Sequence, residues 1–113
     1  MSTIHKTFVD GVSLTGTAQV LYTAGTALKG TIEKASFYNS HTSAVTVQMY
    51  LVPTAGSATA ASNQIEKKVL QPGEGWSSPN MAGHLLETGG TIQATVDVNS
   101  KVACRITGYE ATS

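Results

Sequence analysis

Between Val45 and Val52 the chain alternates. Val45, Val47, Met49 and Leu51 fall on one side, and Thr46, Gln48 and Tyr50 on the other. This is the period-two pattern of a strand with one buried face. Just upstream, Ala35 and Phe37 share one side while Ser36 and Tyr38 take the other. The residues between, Asn39-Ser40-His41-Thr42-Ser43, have short polar side chains that bond nearby backbone groups. The pattern therefore predicts strands over 31–39 and 44–52 that pair across a hairpin loop, with His41 at its tip. Ile32, Ala35 and Phe37 do not keep one parity, which places a bulge near Glu33-Lys34.

The rest of the chain reads in the same way. Gln19 to Thr23 is a short strand, and Pro53 ends the strand before it because proline cannot donate to a ladder. A small-residue loop of low complexity follows, after which Gln64 to Leu70 is extended again. Pro72-Gly73 fits the two central positions of a type II turn. A short strand at His84 to Leu86 leads through Gly89-Gly90 into Thr91 to Val98, where Ile92, Ala94, Val96 and Val98 face one way. Asn99-Ser100 reads as a tight hairpin turn into a last strand from Lys101 to Glu110. No window carries an amphipathic helix. Seven or eight short strands separated by Gly, Pro, Asn and Ser turns predict an all-β fold, an antiparallel β-sandwich of jelly-roll type.

Residues 1–16 are polar and extended, with Ile4, Phe8, Val12 and Leu14 as scattered apolar positions. They read as an extended N-terminal arm holding one short strand at most, ahead of a single sandwich domain over 17–113. Such an arm is expected to dock on an adjacent subunit, with Ile4, Phe8 and Val12 as its anchors.

Composition narrows the function classes. Seven basic and seven acidic residues cancel in a chain that is only 12% charged, so there is no electrostatic footprint for nucleic acid or an anionic membrane. No apolar run approaches the roughly 20 residues of a membrane span. The start, MSTIHKTFVDG, lacks the basic opening and apolar core of a secretory signal, so synthesis in a cytoplasm is expected. The single cysteine, Cys104, alternates with Val102 and Ile106 and reads as a small core residue. Threonine, serine, glycine and alanine dominate the polar part, and a surface of short uncharged side chains loses little rotamer entropy when another protein covers it.

Candidate chemistry is sparse. His5, His41 and His84 lie in different segments with no partner at ligand spacing, and no nucleophile-elbow motif accompanies a serine. Glu66, Glu74, Glu87, Asp97 and Glu110 offer carboxylates, but nothing pairs two of them. No catalytic, metal-binding or cofactor-binding residue is expected, and no cofactor. The aromatic residues remain: Trp76 follows a turn, and Tyr50 and Tyr109 fall on the polar sides of their strands. With His41 and the arm residues, these are the candidates for a partner interface.

Three segments, VLYTAGTALKGTIEKASFYNSHTSAVTVQMYLVP, VLQPGEGW and LLETGGTIQATVDVNSKVACRITGYE, come in an order that resembles small structural proteins of tailed bacteriophage virions. The resemblance covers Val20 to Glu110 and implies a β-sandwich used as a particle component in several copies. It implies a capsid decoration (cement) protein whose partners are further copies of itself and other virion proteins, such as the major capsid or tail protein. The alternative is a tail or fibre module that recognises a host receptor or surface glycan, with Trp76 and His41 as its contacts.

Overall fold

The computed structural model describes residues 3–17, 19–25, 28–53 and 63–112. Among these residues nine strands form two antiparallel sheets: β1 (Thr3–Ser13), β2 (Gln19–Thr23), β3 (Leu28–Asn39), β4 (Val45–Val52), β5 (Gln64–Leu70), β6 (Gly75–Ser77), β7 (Leu85–Leu86), β8 (Thr91–Val96) and β9 (Val102–Thr112). The front sheet has the order β1-β9-β3-β6, with β7 also on β3, and the back sheet the order β2-β8-β4-β5. Because β9 occupies one edge of β3 along its length, β6 and β7 share the other edge. Two sheets with these orders, linked by connections that cross between them, are the jelly roll.

Period-two patterning builds the core. Ile32, Ala35, Phe37, Val102, Cys104 and Ile106 from the front sheet meet Val45, Val47, Met49, Ile92, Ala94 and Val96 from the back sheet, and each is buried. Leu14, Leu70 and Met81 close the sides of the sandwich at 0% exposure. Each large apolar side chain so buried contributes about 1.5–3 kcal/mol.

The jelly-roll order corrects two pairings expected from the sequence. β3 and β4 do not form a hairpin: β3 lies in the front sheet and β4 in the back sheet. Residues 40–44 are a corner between sheets, and Asn99-Ser100 likewise joins β8 in the back sheet to β9 in the front. Two strands whose apolar faces look into one core from opposite sheets have the same alternation as two strands paired edge to edge. Among the described residues, the only strands that are neighbours in sequence and pair in one sheet are β4 and β5.

The N-terminal segment also differs from the arm expected over 1–16. It is extended, but Thr3–Ser13 pairs along β9 from Thr3↔Ala111 to Ser13↔Ala103 and forms an edge of the front sheet. Its register shifts between Thr7 and Val9 and again between Val9 and Val12. Bulges of this kind break the alternation, which is why Phe8, Val9 and Val12 look scattered in the sequence although all three turn to the core. The bulge expected near Glu33-Lys34 is present, between Ile32 and Lys34. The low-complexity loop at 54–62 lies outside the described residues. No helix among the described residues is long and apolar enough to cross a membrane.

The sheets are unequal in length. β1, β3 and β9 run 11, 12 and 11 residues, against 5, 8, 7 and 6 for β2, β4, β5 and β8. At about 3.3 Å per residue β3 is about 13 Å longer than β4. The corner at 40–44 joins one end of β3 to β4, and toward the other end Leu85 and Leu86 stand beside Leu51 and Val52 of the back sheet and the following Pro53.

Candidate interaction surface

The front sheet carries a row of side chains across its outer face, toward the end where β3 begins. His5 on β1 stands opposite Tyr109 on β9, Tyr109 opposite Thr31 on β3, and Thr31 opposite Leu85 on β7. Leu85 is 52% exposed and Tyr109 37%. The His5 and Tyr109 rings stack with centroids 4.8 Å apart. Both reach Glu33, which the β3 bulge presents: His5 Nε2 lies 3.0 Å from Oε1, and the Tyr109 hydroxyl donates to Oε2 at 2.9 Å.

This cluster is an anchor rather than an activated acid–base pair. The Tyr109 hydrogen bond, followed by the one to His5, holds the Glu33 carboxyl below its ordinary value. The same bond and the carboxylate's charge push the Tyr109 hydroxyl up. A phenol held protonated beside a carboxylate is no nucleophile; the pair fixes the ring in place.

On the inner side of the same end, the Tyr22 hydroxyl donates to Glu110 Oε2, and Lys6 Nζ donates to Oε1 at 3.3 Å. Glu110 is 8% exposed, so these bonds satisfy a carboxylate that would otherwise be costly to bury. Burial first, then the Glu110 bond and charge, raise the Tyr22 hydroxyl far above its ordinary value. The Phe8 ring stacks on Tyr22 at 4.2 Å, so β1, β2 and β9 are tied together here.

The structure separates the residues expected to face a partner. Ile4 is 60% exposed, on the face of β1 that it shares with Glu110. Phe8 is 8% exposed and Val12 packs against the core beside Cys104, so the bulges of β1 turn these two anchors inward. Tyr50 keeps the polar side of β4, opposite Gln93, yet is only 5% exposed, with its hydroxyl donating to Gln48. His41 sits in the corner, half-buried, its N–H held at 2.9 Å by Asn39 Oδ1. Trp76 is half-buried, tilted against Phe37 at 5.8 Å with the Lys68 ammonium 5.6 Å from its ring; it caps its own core instead of offering a free ring. Tyr109 is the candidate that stands in an exposed cluster. Sequence reasoning missed Leu85 and Tyr38, the latter 50% exposed. The parity of Tyr38, opposite to Phe37, carried that signal.

Cys104 is 1% exposed, and burial pushes its thiol up to about 12. It is inert packing, as its alternation with Val102 and Ile106 indicated.

No family model matches the chain, and no curated protein matches it. Among solved structures it is similar to a subunit of Bacillus endospore appendages, described as a novel family of disulfide-linked pili, with a TM-score of 0.52 and 13% identity over 98% of this chain and 88% of that chain. It is also similar to a protein of the T13 particle of infectious bursal disease virus, with a TM-score of 0.44 and 13% identity; the chain spans 30% of that protein's length. At such identities the likeness to the pilus subunit is one of fold.

Proposed function

We propose that this protein is a non-enzymatic structural subunit of a bacteriophage virion: a decoration protein that binds the capsid in several copies, through contacts with itself and the major capsid protein. The observation that carries this reading is the row His5, Tyr109, Thr31 and Leu85, apolar and aromatic groups set side by side on four strands of a rigid sheet. A row of that kind gives a contact surface with little side-chain freedom to lose. Symmetry then multiplies modest contacts into firm attachment. The order of the segments from Val20 to Glu110, which resembles phage virion proteins, supports the particle. The jelly roll shared with a pilus subunit supports assembly from repeated copies.

The test is co-sedimentation of the purified protein with capsids that lack it. Saturable binding at a fixed copy number, lost in Leu85→Asp with melting temperature unchanged, is the expected result. A protein that ignores such capsids ends the decoration reading. Saturable binding that survives Leu85→Asp moves the contact away from this row.

A further inference from the structure

The outer face of the front sheet has a second feature, toward the end where β3 finishes and β9 begins. Tyr38 on β3 stands opposite Ala103 on β9, and in the next outward position Ser36 stands opposite Arg105. Large and small side chains therefore alternate diagonally. Each large one lies beside a glycine of the next strand. Gly75, the β6 partner of Tyr38, has no side chain, and a Cβ there would touch the ring at 4.0 Å. At Gly11 in β1 a Cβ would come within 3.3 Å of Arg105 Nη2, and φ is +69°. Between ring and guanidinium lies an open trough of about 230 Å³, lined by Gly11, Ser36, Tyr38, Ala103 and Arg105.

Three properties define what fits it. First, the trough carries no net charge, because Arg105 Nη1 donates to Asp10 Oδ1 at 2.6 Å; an anion would have to compete with that carboxylate. Second, the Tyr38 and Ser36 hydroxyls have no partner among the described residues. Third, the floor is a sheet face whose backbone groups on β3 and β9 are used in their ladder. A peptide laid across it would find no backbone partners, so recognition must run through side chains.

We propose that this trough binds a neutral hexose ring of an oligosaccharide. The apolar C–H face of the sugar packs on the Tyr38 ring, and its hydroxyls meet Ser36 and the exposed Arg105–Asp10 pair, whose remaining donors and acceptors match vicinal hydroxyls. This inference goes beyond the assembly role and does not depend on it.

The test is two-dimensional NMR of the full chain, titrated with maltohexaose, cellohexaose, laminarihexaose and chitohexaose, with sialyllactose as the charged control. At least one neutral oligosaccharide is expected to shift the amides of Ser36, Tyr38, Ala103 and Arg105 saturably. Tyr38→Ala should weaken that binding about tenfold or more, and Tyr38→Phe, which keeps the ring, should weaken it less than about threefold. No saturable shift from any of the four, shifts centred elsewhere, or binding of the charged control alone overturns the proposal. So does a concentration-dependent shift of the same amides without sugar, which would assign the trough to a second copy of the chain.

Discussion

The side-chain amide of Asn39, the last residue of β3, donates to the carbonyl of Leu70, the last residue of β5, at 3.0 Å. The same amide reaches Ser43 and Gln71 carbonyls at 3.1 and 3.2 Å, and its oxygen takes the His41 N–H. The Asn39 backbone exchanges bonds with Glu74 and Gly73. One fully buried side chain thus fastens the β3–β4 corner to the β5–β6 turn, across the two sheets. Asn39→Ala would take this partner from the buried Leu70 carbonyl and remove the part-buried bonds to Ser43, Gln71 and the His41 N–H. We expect a loss of about 2–4 kcal/mol in urea unfolding. A loss under about 0.5 kcal/mol would show that water replaces the amide.

That residue also marks what the sequence makes legible. The alternation from Ala35 to Leu51 indicated both strands, and the turn chemistry of Asn39 placed the break between them. Whether those strands pair or cross to opposite sheets depends on contacts with β8, β9 and β5, which are distant in sequence. Alternation reports only which face is buried. Thr3–Ser13 was obscured for a different reason: its bulges destroy the period that identifies strands. Among candidate contacts, Tyr109 was legible from parity. Leu85 was not, because a two-residue strand has too little length to show a period. Phe8 and Tyr50 show the converse, since exposure follows from the neighbours that cover a side chain and not from its parity alone.

Gly108 is where the front sheet tolerates no side chain. A Cβ there would stand 2.1 Å from the Thr31 carbonyl oxygen and 2.8 Å from Phe8 Cε2. The first of these is backbone and cannot swing aside. Gly108→Ala should cost about 3 kcal/mol, with Phe8 displaced from Tyr22. Thermal melts of this variant beside Gly83→Ala, where nothing lies within 4 Å but φ is +89°, separate overpacking from backbone strain. Equal losses in the two would contradict the clash.

Cys104 offers a chemical reading of the same core. Its thiol, raised to about 12 and 1% exposed, should react with a disulfide reagent at pH 8 only as fast as the protein opens. Labelling is expected to be slow in buffer and complete within seconds in denaturant. Since Cys104 is the chain's only cysteine, disulfide links between folded copies are not expected. A dimer band on non-reducing gels of native protein would contradict this packing.

Glu33 and Tyr22 act at opposite ends of the pH–stability profile. Glu33 is held below its ordinary value of 4.5, so its contribution is present above pH 4.5 and is lost as the pH falls through the lowered native value. Tyr22 is raised above its ordinary 10.0, so its contribution is complete below pH 10 and is lost as the pH climbs beyond it. Glu33→Gln should flatten the acid limb of melting temperature against pH, by a small amount because the carboxyl is exposed and screened. Tyr22→Phe should flatten the alkaline limb by more, since its hydroxyl bonds a buried carboxylate. Tyr22→Phe should also lower stability at neutral pH, because Glu110 then keeps Lys6 as its one side-chain partner among the described residues. Urea unfolding at pH 7 checks this, and a variant as stable as the parent would contradict a stabilising bond between Tyr22 and Glu110.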